Sequence, residues 1–105
     1  MNDIEIVLKD GSRETRPVLF VSPNGTFAAV DLRGSDSAGT VDVFHVGTGL
    51  RATPPKHFAA VGKQKTAKAL AAFLDELDPV DSDGVLKIDR AEYHRQFDAW
   101  VKEHA

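Results

Sequence analysis

Apolar and polar residues alternate through the first part of the chain. Residues 4–8 place isoleucine and leucine at every second position, which is the period of a half-buried strand. Asp10-Gly11 follows as a strong hairpin turn, and the return strand is predicted over about residues 15–21. Pro17 lies inside that strand. Because proline cannot donate a backbone hydrogen bond, we expect an edge or a bulge there.

Turn residues and apolar runs extend this pattern into a longer meander. Residues 22–25, Ser-Pro-Asn-Gly, are predicted to form a second turn and lead into a strand over 26–32. After a polar loop at 34–39, residues 40–46 are predicted to form a fourth strand, and residues 50–52 a short fifth. Strands with such short connections pair with their neighbours in sequence, so we expect an antiparallel sheet of four to five strands.

The periodicity becomes helical after Pro54-Pro55. Residues 66–77 repeat apolar side chains every three or four positions, and Asp78-Pro79 is expected to end that helix. A last helix is predicted from about Arg90. The residues that share one stripe are Ala67, Leu70, Phe73, Leu74 and Leu77 in the first helix and Tyr93, Phe97, Trp100, Val101 and His104 in the second. Both stripes are predicted to pack on one face of the sheet, which gives an α+β fold.

The length and composition fit a single domain. A chain of 105 residues has room for one hydrophobic core, so residues 1–105 are predicted to form one α+β domain. There is no cysteine, which excludes disulfides and thiolate metal sites. No apolar run approaches the roughly 20 residues that cross a bilayer, and the first residues lack the basic and apolar regions of a signal peptide. We therefore expect a cytoplasmic protein without membrane association.

Charge is unevenly distributed, although the formal net charge is only −3. Residues 1–42 carry four basic and seven acidic groups, and residues 75–105 carry four basic and nine acidic groups. Residues 43–74 carry five basic groups and no acidic one. These cations are Arg51, Lys56, Lys63, Lys65 and Lys68. They are the candidate residues for binding a protein partner or nucleic acid, whereas the acids at 75–83 are expected to form a solvated loop.

The start of the first predicted helix carries a recognisable arrangement of lysines. Gly62-Lys63-Gln64-Lys65, followed by Ala67-Lys68 and Ala71-Ala72, resembles the last helix of double-stranded-RNA-binding domains. In that family, lysines at the helix N-terminus contact phosphates while an alanine-rich face packs on a sheet. The resemblance implies a nucleic-acid-binding module that uses the basic 51–68 region. The family's first helix has no predicted counterpart, because residues 1–21 are predicted to form a hairpin.

A second resemblance points to a different class of protein. Residues 41–49, VDVFHVGTG, followed by a loop and an alanine-rich helix, resemble small phage and mobile-element proteins of unknown function. That resemblance implies a small accessory or inhibitor protein. Together with the uneven charge, it predicts a non-enzymatic interaction protein that binds a partner protein through a charge-separated surface. Nucleic-acid binding through the basic region is the alternative prediction.

Residues 81–92 contain part of a calcium-binding pattern. Asp81, Asp83, Asp89 and Glu92 fall at positions 1, 3, 9 and 12 of an EF-hand-like loop, but valine and leucine occupy positions 5 and 6, where a ligand and a glycine are required. Asp89 and Glu92 also have the spacing of a helix capping box, which is the interpretation that we favour. A degenerate calcium site is the third alternative.

The remaining polar residues form no recognisable catalytic or metal-binding pattern. His94 and Asp98 lie four positions apart on the last predicted helix, but two ligands are too few for a typical zinc site. His45 alternates with two valines and is expected to be a hydrogen-bonded core or rim residue, and His57 could line a small cleft. We predict no enzymatic activity and no cofactor.

Overall fold

The β-strands form one antiparallel sheet in which the order in sequence is also the order in space. The computed structural model describes residues 3–8, 10–33 and 40–104, and the predicted loop at 34–39 lies outside them. The strands are β1 (Asp3–Val7), β2 (Arg13–Val21), β3 (Phe27–Asp31) and β4 (Val41–His45). All neighbouring pairs are antiparallel, so the predicted meander is confirmed.

Short turns connect the first strands at the predicted positions. Between β1 and β2, the Gly11 N–H donates to the Leu8 oxygen over 2.9 Å, and Gly11 has a φ of +86°, which glycine adopts without a steric penalty. Pro17 pairs with β1, and the register between β2 and β3 shifts between Val18 and Phe20. The bulge predicted near Pro17 is therefore present just after it.

The sheet curls so that the segment after β4 meets β1. Residues 50–52 lie beside β4 and are joined to it by two backbone hydrogen bonds of 2.8 and 2.9 Å. Among the described residues the sheet has four strands, and the predicted fifth is reduced to a single bridge between Phe44 and Arg51, which we call the short strand. Just before this segment, the Gly49 oxygen accepts the N–H of Val7 over 2.9 Å. Gly49 has a φ of +75°, and a Cβ atom there would lie 2.5 Å from the Glu5 oxygen. A residue with a side chain would therefore push the two segments apart.

Apolar side chains are buried on both faces of the sheet. The helix-facing core contains Phe27, Ala29, Val41, Val43, Val61, Ala67, Leu70, Ala71, Leu74, Tyr93, Phe97 and Trp100. The second core lies inside the curl and contains Ile4, Ile6, Ala28, Val30, Leu32 and Phe44. Burying one large apolar side chain contributes about 1.5–3 kcal/mol to the free energy of folding, so both cores matter for stability. The sequence predicted only the first of them.

The helices follow the sheet along the chain. A single 3₁₀ turn (Pro55–His57) leads into the short helix α1 (Phe58–Val61), and the longer helices are α2 (Gln64–Leu77) and α3 (Arg90–His104). α2 ends at Asp78, which has a φ of +50° and donates its N–H to the Leu74 oxygen. Both α2 and α3 contribute to the helix-facing core, which confirms their predicted packing on one face. Within the described ranges, no helix is long and apolar enough to span a membrane.

The start of α3 agrees with the sequence in position but not in its hydrogen bonds. The helix begins at Arg90, as predicted. The Glu92 carboxylate accepts hydrogen bonds from Arg95 over 2.8 Å and from Gln96 over 3.1 Å. A capping box needs this carboxylate to turn back to the N–H of Asp89. The predicted capping box is therefore wrong, because Glu92 is held by side chains further along the helix.

Candidate functional site

The structure distributes the five predicted cations over three separate places. Arg51 lies in the short strand beside β4, and Lys56 lies in the 3₁₀ turn. Lys63, Lys65 and Lys68 lie at or near the start of α2. Carboxylates hold the first two cations, whereas the three α2 lysines form no ion pair within the described residues. The five side chains therefore differ in how available their charge is to a ligand.

Asp42 compensates the charge of Arg51 inside the protein. Asp42 is fully buried, and its Oδ2 lies 2.5 Å from both Nε and Nη2 of Arg51. Its Oδ1 accepts the N–H of Val43 over 2.7 Å and the hydroxyl hydrogen of Thr53. Burial raises the pKa of Asp42, and the Arg51 charge opposes that rise. The Arg51 guanidinium also lies 3.6 Å from the centre of the Phe58 ring, a cation–π contact that joins the sheet to α1.

Asp98 ties α3 to the 3₁₀ turn. One carboxylate oxygen lies 2.6 Å from His57 Nε2, and Lys56 Nζ donates over 3.1 Å. The hydrogen bond to His57, followed by the one from Lys56, lowers the pKa of Asp98. The His57 ring stacks on Phe97 with 5.5 Å between ring centres. Asp98 is thus engaged away from His94, and the part of the chain that the structure describes contains no group of three or more ligands that could hold a metal.

Three lysines concentrate positive charge at the start of α2. Lys63 and Lys65 are exposed and Lys68 is half-buried, and the first turn has neither an acidic residue nor a side-chain cap. The helix dipole already places partial positive charge at this end, so the lysines add to it. At the other end of α2, Glu76 and Asp78 are exposed. With a rise of about 1.5 Å per residue, the two charged ends are roughly 20 Å apart.

Asp75 contradicts the expectation that the acids at 75–83 form a solvated loop. Its buried carboxylate accepts the Asn24 N–H over 2.8 Å and the Asn24 side-chain amide over 2.5 Å. Burial alone would raise the pKa of Asp75, but hydrogen bonds from Ser22 and Asn24 outweigh burial and lower it. Asp75 therefore fixes α2 to the β2–β3 turn. Nothing in the sequence near Asp75 indicates this role, since the partner lies 51 residues away.

A cleft opens between the short strand after β4, the loop before α3 and the first turns of α3. Its volume is about 420 Å³, within the range of ligand-binding clefts. The lining includes the apolar and aromatic residues Phe27, Leu50, Val80, Leu86 and Tyr93, together with Arg51, Arg90, His45 and His94. No aspartate or glutamate is among the described residues that line it. The cleft combines an apolar surface with the cationic side chains of two arginines.

Hydrogen bonds fix two of the lining side chains. The Tyr93 hydroxyl donates to the Ala52 oxygen over 2.8 Å and so connects α3 to the short strand. His45 Nδ1 lies 2.8 Å from Thr48 Oγ1. Burial lowers the pKa of His45, and the nearby Asp81 charge opposes this effect. His45 is buried and hydrogen-bonded, as the sequence predicted for a core or rim residue.

The loop before α3 is closed by its own hydrogen bonds. The Asp81 carboxylate accepts the N–H of Asp83 over 2.9 Å and the N–H of Val85 over 3.0 Å. Val80 and Leu86 pair across the base of the loop. Asp81 therefore has a structural role as the acceptor that stabilises a tight turn, and calcium binding at this acidic pattern stays the third alternative.

Comparisons with protein families, with curated proteins and with solved structures gave no match to this chain. The resemblances drawn from the sequence therefore stay predictions.

Proposed function

We propose that this chain is a small non-enzymatic interaction protein that binds a partner protein, as an accessory or inhibitor protein of a phage or other mobile element. The supporting observation is the position of two exposed apolar side chains. Leu50 is 46% exposed and Val85 is 60% exposed. Leu50 lines the cleft, and Val85 lies in the chain between two lining residues, Gly84 and Leu86. Exposed apolar residues grouped beside a concave surface are typical of interaction sites.

The charge distribution supports the same proposal. Lysines at the start of α2 and carboxylates at its end form a charge-separated surface. Such a surface orients an approaching partner and increases the association rate, more than it increases affinity. We place this activity in the cytoplasm, because a chain without cysteine suits a reducing compartment.

The engagement of the polar side chains supports a role in binding without catalysis. Asp42, Asp75 and Asp98 each form hydrogen bonds that join separate parts of the fold. Thr53 lines the cleft, but its hydroxyl donates to Asp42 and is held there. The three carboxylates are therefore engaged in holding the fold together, and Thr53 is held to one of them.

Peptide selection tests the proposed binding site directly. A display library of short random peptides is panned against the wild-type protein, and each selected peptide is then measured against a Leu50→Ser/Val85→Ser double variant. Because both side chains are exposed, each substitution should change stability by no more than about 0.5 kcal/mol. We expect to recover peptides that bind the double variant at least about tenfold more weakly than they bind the wild type, a difference of about 1.4 kcal/mol in binding free energy. Equal binding to both proteins would place the interaction site elsewhere.

A nucleic-acid-binding module is the second candidate, favoured by the α2 lysines. Lys63, Lys65 and Lys68 have no ion-pair partner among the described residues, and they lie outside the lining of the cleft. If they contact phosphates, each contact should add about 0.9 to the slope of log K against log salt for duplex binding. Duplex RNA binding at physiological salt that is lost in the triple alanine variant would favour this candidate. No binding by the wild type would remove it.

A further inference from the structure

We propose that the cleft binds a short acidic peptide segment of the partner protein, in which an apolar side chain lies between carboxylates. This inference rests on the proposed function and specifies the chemistry of the partner. It is carried by the presence of two arginines, Arg51 and Arg90, and the exposed apolar side chain of Leu50 in the lining of one cleft.

The cationic part of the cleft is centred on the first turns of α3. Arg90 is exposed and forms no ion pair within the described residues, and His94 follows it by four positions, so both side chains lie on one face of the helix. Glu92 points to a different face and is held by Arg95. Asp89 precedes Arg90 but does not line the cleft. A carboxylate entering the cleft would therefore meet donors without a competing acid in the lining.

Arg51 adds a second guanidinium to the opposite wall. Its charge is balanced by the buried Asp42, which keeps the side chain in one orientation. Because Nε and Nη2 both contact Asp42, the Arg51 side chain is held in place and loses little conformational entropy when a ligand packs against it. Arg51 therefore supplies a fixed surface on this wall, whereas Arg90 supplies a positive charge that no carboxylate pairs within the described residues.

The apolar part of the cleft provides a place for an anchoring side chain. Leu50 and Leu86 line it from the short strand and from the loop before α3. Val85, which precedes Leu86 in the chain, is exposed. An apolar side chain buried in a pocket commonly supplies the affinity of a peptide contact, while the surrounding polar groups supply its specificity.

The size of the site favours a short segment over a second copy of this chain. Stable protein–protein interfaces bury about 1,600 Å² in total. Here the described surface exposes only two large apolar side chains, and the cleft volume of about 420 Å³ suits a few side chains of an extended peptide.

The test uses peptides recovered by panning against the wild-type protein, each remade with every Asp and Glu replaced by Asn and Gln. Binding of the labelled peptides is measured by fluorescence anisotropy to wild type, to Arg90→Gln and to Lys102→Gln. Lys102 is an exposed cation on the same helix, outside the cleft, so its variant is a control matched in charge. We expect the amide peptides to bind wild type at least about tenfold more weakly, about 1.4 kcal/mol. Arg90→Gln should weaken the acidic peptides similarly, and Lys102→Gln should not.

The outcomes separate this inference from the function on which it rests. Cleft-dependent peptides that bind equally well in their amide form would overturn the acidic ligand but leave the proposed interaction site intact. Failure to recover any cleft-dependent peptide would instead remove that site. Self-association of the wild type that Arg90→Gln abolishes, measured by sedimentation, would make a second copy the occupant and overturn the peptide proposal.

Discussion

Alanine at position 49 would place its Cβ atom 2.5 Å from the backbone oxygen of Glu5. Gly49 also has a φ of +75°, where residues with a side chain are strained. Gly25 has nearly the same φ, +76°, but a Cβ atom there would meet nothing within 4 Å. Comparing Gly49→Ala with Gly25→Ala therefore separates the backbone strain, which both share, from the close approach of β1, which only position 49 has.

The expected difference follows from the contacts at position 49. The left-handed backbone conformation costs each variant about 1–2 kcal/mol. Gly49→Ala must also move β1 away, which costs about 1 kcal/mol for the hydrogen bond from Val7 to the Gly49 oxygen. Forcing an extra carbon into this close-packed region adds about 1–3 kcal/mol. We expect Gly49→Ala to lower the free energy of unfolding by roughly 2–4 kcal/mol more than Gly25→Ala.

Urea unfolding followed by tryptophan fluorescence measures this difference, because Trp100 is the single tryptophan and lies in the helix-facing core. The slope of the unfolding free energy against urea concentration should be the same for both variants and the wild type, so that their free energies of unfolding can be compared. If the two variants differed by less than about 0.5 kcal/mol, the curl that brings β1 to residue 49 would be refuted.

Three further substitutions probe the fold. Asp75→Ala should lower the free energy of unfolding by about 2 kcal/mol, because the charged hydrogen bonds of Asp75 are lost. The control variant Glu76→Ala replaces an exposed neighbouring acid and should have little effect. Equal urea midpoints for the two variants would contradict the role of Asp75. Trp100→Ala should cost about 3–5 kcal/mol, measured by circular dichroism, and native stability would show that the side chain is not core. Hydrogen bonds from Arg33 lower the pKa of Asp31 from 3.8 to about 2, so the stability that Asp31 contributes is present above pH 4 and is lost as the pH falls toward 2. The stability advantage of wild type over Asp31→Asn should shrink over that interval, and a constant advantage would rule out this titration.

Features set by neighbouring residues were predictable from the sequence. The glycine turns defined the hairpins because few other residues adopt a positive φ at low cost. The apolar stripe of residues 66–77 defined α2 because one helix face must be buried. The short helix α1, Phe58–Val61, was missed because four residues are too few to show a helical period.

Features set by distant residues were not predictable. Asp75 and Asp42 both occur as ordinary acids in the sequence, yet one binds Asn24 and the other binds Arg51. Nothing near either residue in the chain indicates burial, because the compensating donors are supplied by tertiary contacts. The cleft shares this property, since its walls come from residues near Leu50 and near Arg90. The basic residues were found from composition, but their separation into three places depended on the fold.

The burial of β3 on both faces determines how the protein opens. All five residues from Phe27 to Asp31 are buried, with β2 on one side and β4 on the other. Its side chains alternate between the two cores, so Phe27 and Ala29 face the helices while Ala28 and Val30 face the curl. The amide hydrogens of β3 can exchange with solvent only when both cores are disrupted, which makes them reporters of global unfolding. The two cores therefore form one cooperative unit, and damage to either is transmitted to the other through this strand.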